Sequence, residues 1–477
     1  MSKTVAKRSP EMAKMIEASA KGRALMGGTD AMREAGELYL PRFSQETDDN
    51  YKARLKASTL FNGVRKTVKD MTGRVFDKPV EITDGPQQII DMAENIDMQG
   101  RDLSVFASEV FKDGFIAGIS YIMVDAPRRD GETTRGQAAA EGLRPSMSHL
   151  RVEDILGFKT KLYGNALALS QLRIMESIKE DDPQDPFNQI DEKQVRVLDR
   201  LDAGGVQVTI WRKGKDETWF VIDEYATEAE EITVISFYAQ RTGFFTGEPV
   251  LEDLVDVNVS HWQSQSDQRN ILHFARVPIL FASGRDEDEP ITISAGSAVT
   301  SRNPDADMKW VEHSGKAIDA GRQDLKDLEF QMEALGLQLL VNSVQKSATE
   351  AANDNVKETS TLAMMADSMK DAIEKALQWM AFYSGLGEVS ITLNVNKEFG
   401  VTMLTAQEVT AMLGMVNAGL LSKATFLEEL KRRGFVRPDL DTDAEIDALD
   451  AAAVTLQGEA LPLNNSALDS ALGALNE

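Results

Sequence analysis

The chemistry-bearing residues of this chain are overwhelmingly carboxylates. There are 77 Asp and Glu against 52 Lys and Arg, four His and no Cys. With so many acids, chance pairs are common, and closeness in sequence carries no catalytic weight. The densest run is Asp286-Glu287-Asp288-Glu289. It has the ligand type of a hard cation, yet consecutive turn residues give no fixed coordination geometry. Asp305 and Asp307 alternate and lack a third ligand. The histidines are His149, His261, His273 and His313. His261 and His273 fall on one helical pattern about three turns apart, too far to share a metal. Without Cys there is no thiolate chemistry or disulfide, which fits a chain made in a reducing compartment. Gly315-Lys316-Ala317 lacks the upstream Gly and the following Ser or Thr of a phosphate-cradling loop. No HExxH, calcium-loop or GxSxG pattern occurs. The expectation is a protein without catalysis, cofactor or metal.

The net charge of −25 points the same way for nucleic acid. A protein that grips phosphates is normally basic, and this one repels DNA over most of its surface. No apolar run is long enough to predict a membrane span, and no secretory signal is visible. The length allows two to four domains with a sizeable core.

The most regular element is a heptad. Ile318, Leu325, Met332 and Leu339 recur every seventh residue, with Leu328 and Leu335 at the second seam position. This predicts a rod over Lys316–Val344, roughly 45 Å long, packed lengthwise on other helices. A helix opening at Glu248-Pro249 precedes it. That helix has an apolar stripe (Val250, Leu251, Leu254, Val255, Trp262) and a polar second half, Ser264–Asn270. Such a polar face suggests water, a neighbouring subunit or a solvated channel. Leu362, Met365, Met369, Ile373, Ala376 and Met380 predict a further helix with an ordinary core stripe. The polar stretch 347–360, with Asn353-Asp354-Asn355, joins the last two rods as a loop.

Residues 1–35 are mildly basic and helix-prone from Pro10, either a surface arm or a partner-docking segment. Asp48 or Asp49 caps one helix running through Tyr51, Phe61 and Val75. Leu103–Phe111 predicts another, followed by a buried strand over Ile119–Val124. Between Ile155 and Gln240 the period turns to two, giving successive strands with a hairpin turn at Ala203-Gly204-Gly205. Short strands in 277–315 interrupt the long-helix unit. A helix, a Gly turn and a helix over 405–434, with Lys431-Arg432-Arg433, also describe a DNA-reading unit, but the acidic flanks weigh against it. From residue 441 a disordered acidic tail is expected.

This order of parts resembles the portal proteins of tailed double-stranded DNA bacteriophages, the head-to-tail connectors. The local wording is similar too: Tyr39-Leu-Pro-Arg-Phe43, Tyr51-Lys-Ala-Arg-Leu55 with Phe61-Asn62, Val75-Phe-Asp-Lys-Pro79, His261-Trp-Gln-Ser-Gln-Ser-Asp267 and Glu312-His-Ser-Gly315. The likeness spans about residues 35–435. It implies an α+β portal fold: an N-terminal arm (1–38), an α/β wing (39–246), a stem helix (247–276) and a β clip (277–315). A second stem helix (316–346), a tunnel loop (347–360), a wing helix and strand (361–399), a helical crown (400–440) and a tail (441–477) follow.

The resemblance also implies a homo-oligomeric ring of about twelve subunits at one capsid vertex, the channel for genome packaging and ejection. Lys346, Asn353, Asp354, Asn355 and Lys357 would face the DNA. Arg285, Asp286, Glu287, Asp288 and Glu289 would meet the terminase large subunit and a head-tail adaptor. Ile318, Leu325, Leu328, Met332, Leu335 and Leu339 would be the stem heptad. The other implied partners are the major capsid protein or scaffold, and double-stranded DNA passing without sequence specificity, with no membrane. The place is the virion, after assembly in the bacterial cytoplasm. A scaffolding or minor capsid protein that forms no ring is the alternative reading, and a packaging motor or nuclease is disfavoured by the missing phosphate loop.

Overall fold

A computed structural model describes residues 2–127, 143–214, 216–276, 279–284, 303–311, 316–338, 360–396, 406–432, 436 and 440–448. The chain is α+β and divides into two compact units, Met1–Lys397 and Glu398–Glu477.

Helix α1 (Pro10–Gly27) starts where the Ser9 side chain accepts from the Met12 amide, with Pro10 in the first turn. A short α2 (Thr29–Ala35) follows. Met12, Leu25 and Met32 are fully buried, so this segment is no surface arm. Its apolar face closes the main core, where Met12 and Met15 pack with Ile119, Tyr121, Leu172 and Phe245.

The single helix expected from Asp48 to Val75 is two: α3 (Asp48–Ala57), capped by Thr47, and α4 (Gly63–Val75), capped by Asn62. The break has a local cause. Ser58 turns its hydroxyl to the Arg54 carbonyl at 2.8 Å, and Asn62 accepts from the Arg65 amide at 2.8 Å, which starts a new helix.

After β1 (Glu81–Asp84) and α5 (Gln87–Ala93), α6 (Leu103–Ala117) leads into the buried strand β2 (Ile119–Asp125). β2 is the middle of a three-stranded antiparallel sheet, between β3 (Ser146–Leu150) and β9 (Val234–Tyr238). The period-two region forms a five-stranded antiparallel meander: β4 (Ile155–Tyr163), β5 (Ala166–Asp182), β6 (Asp185–Arg200), β7 (Val206–Lys213) and β8 (Trp219–Thr227). Gly204 and Gly205 make the expected turn. β5 and β6 are much longer than their neighbours and continue as a two-stranded ribbon.

A small hairpin, β10 (Arg241–Gly243) and β11 (Thr246–Gly247), leads to α7 (Glu252–Ala275). The expected helix start at Glu248-Pro249 is not adopted. Glu248 N donates to Gln240 O and Val250 N to Phe115 O, holding this stretch as a strap across the end of α6. Strands β12 (Ile279–Ser283) and β13 (Asp307–Val311) pair antiparallel. Then come α8 (Lys316–Leu337), α9 (Thr361–Tyr383) and β14 (Thr392–Asn394), which pairs with β1. Every stripe residue named for α9 is buried, so that reading as core is correct. The second unit contains α10 (Ala406–Asn417) and α11 (Lys423–Arg432). The expected disordered tail begins instead with helical residues 442–448, where Asp441 accepts from the Asp443 and Ala444 amides.

Gly118 fixes the junction that aims α7. It ends α6 in the left-handed region at φ +75° and accepts at its carbonyl from Ala239 and Gln240. A Cβ there would lie 1.8 Å from the Glu248 carbonyl oxygen. Gly118→Ala is therefore expected to cost about 3 kcal/mol or more, read as a lowered denaturation midpoint.

Candidate assembly interface

The helices α7 and α8 run antiparallel, and the seam between them is not what the polar half of α7 suggested. Asn258, His261, Gln265 and Gln268 recur at heptad spacing on α7, and all but Gln265 are fully buried. They face the apolar heptad of α8. The Gln268 amide donates to Ile318 O at 2.8 Å, and Ser264 Oγ to Asp324 at 2.5 Å. Gly321 makes room for this: a Cβ there would sit 2.1 Å from the Gln268 amide oxygen. Asn258 spans the break between α3 and α4, accepting from Val64 N at 3.0 Å and donating to Phe61 O at 2.8 Å. Asn258 and Gln268 are thus satisfied inside the subunit by backbone partners, while Ser264, Gln265, Asp267 and Asn270 stay half-buried and Arg269 exposed.

Behind it lies a buried ion pair. Arg54 donates to both Glu46 oxygens at 2.8 Å, and both side chains are almost wholly buried. The same guanidinium donates to Pro41 O at 2.8 Å and to Ser266 Oγ of α7 at 3.3 Å. It also stacks over Phe43, 4.0 Å from the ring centroid. Tyr51 Oη donates to Leu40 O, and Gln263 to Tyr39 O, both at 3.0 Å. Tyr39–Phe43 and Tyr51–Leu55 therefore meet the distant stretch His261–Asp267 at one node. Arg54 holds the Glu46 carboxyl below the usual carboxylate range by hydrogen bonding. His261 is buried, its Nε2 3.4 Å from Glu329, and burial pushes its pKa down against the pull of that carboxylate.

Of the expected stem residues, Met332 is fully buried, packed on Gly63. Ile318, Leu325, Leu328 and Leu335 are only half-buried, and Leu339 lies outside the described residues. Phe330 is 72% exposed and Leu337 48%. They stand seven residues apart, so one flank of α8 presents an exposed apolar pair. Arg285, Asp286, Glu287, Asp288 and Glu289 lie outside the described residues, as do Lys346, Asn353, Asp354, Asn355 and Lys357. The β12–β13 pair that would carry the former group is present at the far end of α7 and α8.

One constellation escaped the sequence reading. Ser120 Oγ is 2.7 Å from His149 Nε2, and Asp113 Oδ2 is 3.8 Å from that same nitrogen. In a nucleophilic relay the acid holds the other ring nitrogen. Ser120 is also fully buried, so this cluster cannot work as a triad. It is a structural network. Burial opposes the charge of Asp113, but His149 and Arg23 hold its carboxyl below the usual range, and Arg23 continues to Glu153 at 2.8 Å. Among the described residues no group of His and acids could hold a metal ion.

A family model described as a domain of unknown function (DUF4055) matches residues 250–384, the stretch from α7 through α9. No curated protein matches the chain. Among solved structures, it is similar to a chain in the virion of a native gene transfer agent particle. Identity there is 10% and the TM-score 0.40, over 84% of this chain and 98% of that one. It is also similar to a chain in the neck of an empty particle of this kind computed with C6 symmetry. That match has 11% identity and a TM-score of 0.39, over 78% and 89%. A chain in the neck of a native particle computed with C12 symmetry gives 11% and 0.36, again over 78% and 89%.

Two outcomes follow from the node. Arg54→Met strands a buried carboxylate and is expected to cost about 3–5 kcal/mol by chemical denaturation, whereas Arg54→Met with Glu46→Leu recovers most of it. At His261 and Glu46 the pH dependence has one sign, while burial pushes the Asp267 carboxyl up and opposes it at lower pH. His261 titrates lower when folded, so its contribution is lost as pH falls below about 6.5. That of Glu46 is full above about 4.3 and lost as pH falls through its depressed value. Stability should decline from pH 7 to pH 5, and His261→Gln should flatten that decline.

Proposed function

We propose that this chain is a phage portal protein: a ring of about twelve copies at one capsid vertex, conducting DNA and catalysing nothing. The observation that carries the reading is the α7–α8 unit. Two antiparallel helices, locked together by a polar seam, hold a β pair at one end and leave Phe330 and Leu337 uncovered along α8. A rigid rod with one apolar flank calls for a neighbour, and rods standing side by side around a hole supply it. The ordered resemblance of the chain to portal proteins supports the same assignment. Under it, 277–315 is the clip that docks terminase and later a head-tail adaptor, 347–360 is the loop facing DNA, and the major capsid protein or scaffold is a further partner.

The charge then has a use. About twelve copies of −25 make a ring of roughly −300, and a like-charged lining lets a polyanion slide without sticking. Ring formation is tested by native mass spectrometry of the purified chain. A closed ring is expected for the wild type, and Phe330→Glu should leave a monomer with unchanged circular dichroism. A wild-type chain that stays monomeric, alone and in assembled particles, overturns the reading. Lysines placed along 347–360 should slow DNA passage in a packaging assay, and unchanged passage removes the loop from that role.

A further inference from the structure

The β5–β6 ribbon has no role in the ring described above. β4 stops pairing at Ile174 and β7 at Gln194, so from Ser177 and Lys193 outward the ribbon has no third strand. It projects about 20 Å at the usual rise per residue. The Arg212–Glu180 pair, 2.8 Å apart, fastens one flank near its base. A free two-stranded ribbon of this kind is marginal in water by itself. At its tip, between Pro183 and Pro186, the turn is closed by Asp182 accepting from Gln184 N and Asp185 from Phe187 N. Phe187 follows, 98% exposed, which no other large apolar side chain among the described residues approaches. Seven carboxylates and two lysines stand between Glu176 and Lys193.

We infer that this ribbon is a docking arm. Its partner is a different protein, with an apolar pocket for the Phe187 ring and a basic rim facing the ribbon's carboxylates. Charge selects that partner. Nucleic acid is a polyanion and repels the arm, and a copy of net charge −25 is a poorer source of a basic rim than a partner of opposite charge. A rigid aromatic ring on a preset turn is the kind of anchor that buries in a pocket at small entropic cost. The inference rests on the portal reading only in taking the partner to be another component of the same particle.

The test uses the full chain in producing cells, with Phe187→p-benzoylphenylalanine, irradiation and peptide mapping. A second version adds Asp191→Lys and Glu192→Lys, on the ribbon but outside the turn. The expected result is an adduct with another protein, mapped to an apolar site flanked by Lys or Arg. Its yield should fall about ten-fold or more with charge reversal, while ring mass and circular dichroism stay unchanged. Cross-linking to a second copy, to nucleic acid or to nothing overturns the arm, as does an adduct indifferent to charge reversal. A wild-type chain that forms no ring yet gives the charge-dependent adduct overturns the portal reading and leaves the arm standing.

Discussion

The Arg54–Glu46 pair constrains everything that follows it. Moving two charges out of water costs several kcal/mol each, and their attraction returns that only when every remaining proton and lone pair is used. Here the guanidinium is nearly saturated: two bonds to Glu46, one to Pro41 O, one to Ser266, and a face on Phe43. Those partners come from the turn before α3 and from α7. In this register of the segments the pair is satisfied. The direction of α7 is therefore fixed midway along its length, and with it α8, which lies along α7, and the β pair at their end. Gly118 performs the complementary task where α7 begins, since the strap of residues 239–250 can cross α6 only above a residue without a side chain.

How much of this could be read from the residues depended on what each pattern is coupled to. The α9 stripe, the β2 strand and the meander were legible because burial on one face is a local, periodic demand. The segments Tyr39–Phe43, Tyr51–Leu55 and His261–Asp267 stood out as wording without a visible reason. The reason is three-dimensional: they are the walls of one charged node. The polar half of α7 was legible only in part, because a polar side chain announces only that it needs a partner. Gln268 finds one in a backbone carbonyl of α8 and Asn258 in the chain ends of the α3–α4 break. The spacing of Asn258, His261, Gln265 and Gln268 at seam positions was the available signal. The helical segment before residue 38 was underrated for a related reason. Its basic residues are conspicuous, but Met12, Leu25 and Met32 decide its place.

The cluster of Ser120, His149 and Asp113 makes the converse point. Composition and proximity would class it with hydrolytic sites. The geometry does not, because serine and acid compete for one ring nitrogen and the hydroxyl is sealed from solvent. Its carboxylate is held charged by Arg23 and His149, and Arg23 reaches on to Glu153. The network thus ties α1 to α6, β3 and the start of β4. A chain rich in acids buries some of them, and each buried one needs basic partners, so such clusters arise from folding alone.

Placing part of the polar face of α7 inside the subunit changes what could line a channel in the ring reading. Exposed charges remain on both helices: Glu252, Asp253, Asp256 and Arg269 on α7, and a denser set on α8. Asp319, Asp324, Asp327, Glu329 and Glu333 outnumber Arg322 and Lys326 on its solvent-facing surface. The apolar residues Phe330 and Leu337 share that helix. One rod thus carries an exposed apolar pair and a mainly acidic surface. Glu333, three residues after Phe330 and four before Leu337, shares their flank, whereas Asp324 and Glu329 turn toward Ser264 and His261 of α7. Which of these residues are uncovered is set by the rotation of α8 about its axis, and that rotation is fixed by Gln268 and Met332 against α7 and α4.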